Sequence, residues 1–142
     1  MFFEGAPRLL AAEVTIPGLL AGDSDRIVVE SYPGILARSL IGTRPYKQDA
    51  RSKQTPGQAR ARVEILDRIL GGALRLEYGL DVTAPTSLAE DPGGDHLDAL
   101  LCAIQAAWAW TRRGQGFGLP DHIDPIEGWI ADPHLLRRAG RA

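Results

Sequence analysis

The segment Asp91-Pro-Gly-Gly-Asp95-His-Leu-Asp98-Ala-Leu-Leu-Cys-Ala-Ile-Gln-Ala-Ala-Trp108 constrains the fold more than any other part of the chain. Apolar residues recur in it at helical spacing, and the pattern predicts a helix from about Asp95 to Arg113, stopped by Gly114. Leu97, Leu100, Leu101, Ile104 and Trp108 form one stripe, the expected core face. Asp95, Asp98, Cys102, Gln105 and Ala109 fall on a second face, roughly 120° away at about 100° per residue. No charge lies between Asp98 and Arg112, so the helix is expected to be buried on several sides. Arg112 and Arg113 sit where cations favour the helix dipole.

Other elements follow from shorter signals. Arg26-Ile-Val-Val-Glu30 is the clearest strand, a β-branched run expected to be buried in a parallel or mixed sheet. Pro33 suits the first position of a helix running through Leu40 to a stop at Gly42. Thr55-Pro56 reads as a cap and first turn, opening a helix through Ala59, Val63, Leu66 and Leu70 to Gly71-Gly72. Arg8 to Glu13 suits a helical turn or two, residues 43 to 54 a polar loop, and Glu127-Gly-Trp-Ile130 a short final strand or packed tail. Residues 73 to 90 fit either a helical stretch or a loop. At 142 residues the chain suits a single α/β domain, helix-rich with few strands.

The chemistry concentrates in acids. Asp95 and Asp98 stand three apart in a first helical turn, where Cβ atoms lie about 5–6 Å from each other. Two readings stand: a helix with Asp95 as its N-cap, or a grip for a hard cation. Glu30 adds a carboxylate at a strand end, a position where α/β sheets assemble sites and where an unpaired charge is costly. Pairing with an arginine or capping the Pro33 helix would also satisfy it. If Glu30, Asp95 and Asp98 converge, they make an oxygen-only site suited to Mg²⁺ or Mn²⁺.

Other chemistries find less support. His96, His122 and His134 share no metal-ligand spacing with each other or with Cys102. Ser31 and Ser39 lack a nucleophile elbow, and there is no phosphate-binding P-loop. The lone Cys102 excludes an internal disulfide and fits a reducing, cytoplasmic setting. No apolar run reaches the ~20 residues of a membrane span, and the opening residues, with Glu4, do not form a signal-peptide pattern. A formal charge of −2 gives no global drive toward nucleic acid. Lys47, Arg51, Lys53, Arg60 and Arg62 form a local basic stretch, and Tyr46 beside them offers a ring for stacking on a base or sugar. A solvated loop and exposed helix face is the plainer reading of that stretch.

Five blocks carry a family resemblance: Phe3-Glu-Gly-Ala-Pro-Arg-Leu-Leu10, Val29-Glu-Ser-Tyr-Pro-Gly34, Pro45-Tyr-Lys-Gln-Asp49, Asp95-His-Leu-Asp-Ala-Leu-Leu-Cys-Ala103 and Glu127-Gly-Trp-Ile130. In this order they resemble the domain of unknown function 429 family, regarded as RNase H-like nucleases. The resemblance implies a five-stranded mixed sheet flanked by helices, with Glu30 at the fourth-strand acid and Asp95 and Asp98 at the late-helix acids. It also implies that residues 1–142 are a single partial domain, N-terminally truncated, because the first-strand Gly-x-Asp motif has no counterpart. An open sheet edge would then invite a homodimer or a strand from another chain.

The function implied is two-metal phosphodiester hydrolysis with Mg²⁺ or Mn²⁺, ligated by Glu30, Asp95 and Asp98, with Tyr46, Lys47, Arg51 and Lys53 toward a nucleic-acid substrate. Loss of the first-strand Asp would weaken metal binding. The alternative is a non-catalytic nucleic-acid-binding or assembly module that keeps the fold remnant.

Overall fold

Punctuating residues set the element boundaries in the computed structural model, which describes residues 2–139. In chain order the helices and paired strands are α1 (Phe2–Ala11), β1 (Val14–Thr15), β2 (Asp23–Ile27), α2 (Pro33–Ile41), α3 (Pro56–Leu70), α4 (Arg75–Tyr78), α5 (Asp95–Thr111) and α6 (Pro133–Ala139). The arrangement is mixed α/β and helix-rich, with two parallel strands paired among the described residues. No helix among those residues is long and apolar enough to cross a membrane. The chain divides into two compact units, one of Met1–Glu30 with Ala109–Ala142 and one of Ser31–Trp108.

In the unit of residues 31–108, α2 opens on Pro33 after an extended Tyr32 and closes at Gly42, as its sequence predicts. α3 opens on a complete capping box. Thr55 Oγ1 accepts from the Gln58 backbone N–H, and Gln58 Oε1 accepts from the Thr55 N–H. Leu36, Ala37, Leu40 and Ile41 of α2, Ala61, Ile65, Leu66 and Ile69 of α3, and Leu97, Leu101, Ile104 and Trp108 of α5 supply the core. Each fully buried Leu or Ile contributes about 1.5–3 kcal/mol. Tyr78 of α4 meets Trp108 edge-on, with ring centroids 6.5 Å apart. Glu64 of α3 accepts from both Arg44 and Arg68, and those arginines also donate to the Ile41 and Leu40 carbonyls at the end of α2.

Two expectations about α5 change. Asp95 is its first residue, and the capping is done by Asp91. Asp91 Oδ2 accepts from the Asp95 and His96 N–H groups, and Oδ1 from Gly93. The Gly93-Gly94 turn brings Asp91 over the first turn of the helix. Nor is the uncharged stretch buried on several sides. Ala99, Ala103, Ala106 and Ala107 lie exposed, so the absence of charge there reflects small residues facing outward.

In the other unit, the strand expected at 26–30 is observed three residues earlier, at Asp23–Ile27. It pairs with β1 in parallel, Val14 opposite Asp23 and Thr15 opposite Ile27, with an irregular register between them. It is not buried: Asp23 to Arg26 and Glu30 are exposed, and Val28 and Val29 are half-buried. Only two residues of β1 pair with β2, so the sheet covers little of it. Glu30 forms a single parallel bridge to Ile130, where its carbonyl accepts from Ala131 N–H at 2.9 Å. The expected final strand at 127–130 is therefore a turn ending in one bridge. A largely apolar cavity of about 550 Å³ opens in this unit, with Ile16, Leu19, Val28, Val29 and Trp129 among its walls.

Candidate functional site

Asp98, in the first turn of α5, sits where the loop after α2 returns against the helix. Tyr46 Oη donates to Asp98 Oδ1 at 2.6 Å, and Lys47 Nζ donates to Oδ2 at 2.5 Å. Both carboxylate oxygens therefore carry a donor from adjacent residues more than fifty positions away in sequence. The Asp98 side chain is 16% exposed and that of Lys47 42%, so the pair has one sheltered and one open side.

The loop is held for this purpose by α3 and by the turn before α5. Arg62 is buried, and it donates from Nη1 to the Tyr46 carbonyl and from Nε to the Ala89 carbonyl, each at 2.9 Å. Gln58 Nε2 donates to the Lys47 carbonyl at 3.2 Å. Gln48 N–H donates to the Pro92 carbonyl at 3.4 Å. Gly94 completes the fit: its φ is +80°, and a Cβ on it would lie 2.8 Å from Lys47 Cβ. Only glycine allows both that conformation and that approach.

Electrostatics follow the geometry. The hydrogen bond that Lys47 donates to Asp98 raises the Lys47 pKa above its ordinary value; burial pulls it back, and the charges of Asp98, Asp49 and Asp95 add to the rise. Burial, reinforced by Asp98, pushes the Tyr46 phenol well above its ordinary value of about 10. Lys47 thus holds its charge among three carboxylates, and Tyr46 stays neutral.

The residues singled out in the sequence distribute as follows. Tyr46, Lys47 and Asp98 are brought together, with Tyr46 9% exposed. Asp95 is exposed on the same helical turn, near enough to Lys47 to act on its charge. Arg51 and Lys53 lie on an exposed 3-10 turn, Arg51–Lys53. Glu30 belongs to the other unit, where its Oε2 lies 3.2 Å from the position a Cβ on Gly128 would take. Among the described residues, no three His, Cys, Asp or Glu side chains stand close enough together to hold a metal ion.

Sequence reading missed the residues that position the site. Arg62 belongs to the basic stretch expected to be solvated, yet it is buried and anchors Tyr46. Gln105, on the second face with Asp95 and Asp98, is fully buried, accepting from Tyr32 N–H at 2.9 Å and donating to Tyr32 C=O at 3.3 Å. The Thr55-x-x-Gln58 pattern was the one available signal, since it identifies a glutamine whose amide oxygen serves the cap while its nitrogen reaches elsewhere.

No curated protein and no solved structure matches this chain. Residues 7–124 match the model of the family described as "Protein of unknown function (DUF429)", and the chain belongs to that family.

Proposed function

We propose that this chain acts on nucleic acid as a metal-dependent phosphodiesterase of the RNase H-like type. The observation that carries the reading is the meeting of Tyr46 and Lys47 with Asp98, in which a helix-borne carboxylate and a cation share one half-open site. Asp98 and Asp95 are hard oxygen donors one helical turn apart, which suits Mg²⁺ or Mn²⁺. Among the described residues no third ligand joins them and Lys47 stands on Asp98, so a third donor and release of Lys47 are what the metal-dependent reading requires.

This chain's own residues do the remaining work. Asp98 orients Lys47 and Tyr46, and the neutral Tyr46 hydroxyl fixes the carboxylate's direction. Lys47 has an open side from which an ammonium can meet a phosphate oxygen, and Arg51 and Lys53 add exposed positive charge for the backbone. The family resemblance assigns metal ligation to Glu30 as well, and Glu30→Gln tests that assignment separately.

A titration of Mg²⁺ or Mn²⁺ against labelled DNA and RNA tests the reading. Cleavage should rise with metal and fall by at least two orders of magnitude in Asp98→Asn, the scale of losing a group that acts directly in catalysis.

A second reading, a non-catalytic nucleic-acid-binding module, is favoured by one specific feature: both oxygens of Asp98 are already engaged by the protein's own donors. It predicts binding that weakens with salt and with Lys47→Ala or Arg51→Ala, and no turnover at any metal concentration.

A further inference from the structure

We propose that the apolar cavity in the unit of residues 1–30 and 109–142 binds an amphiphilic organic ammonium. Its alkyl or aryl body would lie within the cavity and its cationic head at the rim, where Glu30 and Glu127 stand. The inference goes beyond the nuclease reading and does not need it.

Three observations carry it. The first is the cavity's size and walls. At about 550 Å³ it falls in the range that encloses a small organic ligand, and all of its lining belongs to this one unit. Ile16, Leu19, Val28 and Val29 make its wall apolar. The second is charge. The ionisable side chains of the lining are both acids, Glu30 and Glu127, with no Lys, Arg or His beside them among the described residues. Both are exposed, and among the described residues neither carboxylate has a hydrogen-bond or ion-pair partner. Elsewhere Glu64, Asp81 and Asp98 are answered by Arg44, Arg75 and Lys47. The third is the junction at Gly128. Its φ is +68°, and a Cβ there would lie 3.2 Å from Glu30 Oε2 and 3.6 Å from Leu19 Cδ1. A carboxylate oxygen and an apolar methyl thus converge on one point, kept open by a glycine.

This lining selects among ligands. A carboxylate-bearing amphiphile would meet two like charges. A hard metal ion takes six or more oxygen ligands, and the walls beside the two acids are apolar. A neutral apolar molecule would fill the cavity and leave both carboxylates unanswered. An alkyl ammonium matches each part. Its body buries apolar surface, its head forms charge-assisted hydrogen bonds with the acids, and water at the open rim completes its shell. Trp129, also in the lining, is the side chain whose ring best attracts a cation. The body therefore supplies most of the affinity, and the acids supply the selectivity.

The test is calorimetric titration of the full chain with n-octylammonium, n-octanol and n-octanoate, which share one apolar body. The buffer is metal-free and near neutral pH, where the ammonium is charged. Wild type should bind octylammonium at least tenfold more tightly than octanol, and octanoate more weakly than either. Glu30→Gln with Glu127→Gln should bring octylammonium down to the affinity of octanol and leave octanol binding unchanged, with near-ultraviolet circular dichroism confirming the fold. Should the double variant fail to fold, Glu127→Gln alone should weaken octylammonium about threefold and spare octanol. Equal affinity for the ammonium and the alcohol, tighter binding of octanoate, a preference that survives loss of the acids, or no binding of octylammonium each overturns the inference. None of these measurements involves cleavage, so the nuclease reading stands or falls separately.

Discussion

Lys47 Nζ lies 2.5 Å from Asp98 Oδ2, and this contact joins the loop after α2 to the first turn of α5. With the Tyr46 hydroxyl on the other oxygen, it makes Asp98 the point where two family-resembling blocks, Pro45–Asp49 and Asp95–Ala103, meet. A partly exposed ion pair alone is worth about 0–1 kcal/mol. Its significance lies in what it arranges: an acid, a cation and a neutral phenol in one place.

That arrangement depends on a glycine. Gly94→Ala should destabilise the protein by about 1–3 kcal/mol, combining the cost of a left-handed conformation with a contact against Lys47 Cβ. Gly79, at φ +66° with nothing within 4 Å of an added Cβ, provides the control. Gly79→Ala should incur only the backbone share, about 1 kcal/mol. Urea denaturation of the two variants measures the difference. Equal losses would mean that Lys47 does not press on Gly94.

Gln105 should prove one of the costliest polar positions. Its amide satisfies both backbone groups of Tyr32 from a fully buried position. Gln105→Leu keeps the volume and strands the Tyr32 N–H, while the Tyr32 carbonyl keeps the Ile35 N–H at 3.1 Å. A loss of about 1–3 kcal/mol in denaturant unfolding is expected, the cost of one unsatisfied group. A loss below 1 kcal/mol would show that water takes over the pairing.

Tyr46 should resist alkaline ionisation. Burial first, then its bond to Asp98, raises its pKa in the folded protein. The contribution of a group with a raised folded pKa is fully present below its unfolded value, about 10, and is lost as pH rises through the folded value. Alkaline titration at 295 nm should therefore show at least one phenol ionising only with unfolding, above about pH 10. In Tyr46→Phe that late step should shrink by one phenol, and the alkaline limb of the stability profile should flatten. Ionisation of all three tyrosines near pH 10 in folded protein would contradict this.

The helices were legible because their ends are written in residues with a single strong preference. Pro33 and Gly42 bound α2, Thr55-Pro56 and Gly71 bound α3, and the apolar stripe of α5 follows its period. The sheet was less legible. The Ile27-Val28-Val29 run has strand propensity, but pairing depends on what lies alongside, and here β1 pairs with Asp23 and Ile27, so only the first residue of the run lies in the strand. Within the site, Asp98, Tyr46 and Lys47 could be picked out by residue type, but their contact is a tertiary fact across fifty residues. Arg62 and Gln105 were hidden for a related reason. A long polar side chain reads as solvated in sequence, and only the fold supplies the backbone groups that let it be buried.

The most direct test of the account is single-turnover cleavage of a labelled oligonucleotide in Mn²⁺, with wild type beside Asp98→Asn at matched folded fraction. The account predicts metal-dependent cleavage by wild type and a loss of at least a hundredfold in the variant, which keeps an oxygen for Tyr46 but gives up the charge. No cleavage by the folded wild type, or cleavage that Asp98→Asn leaves unchanged, would contradict it.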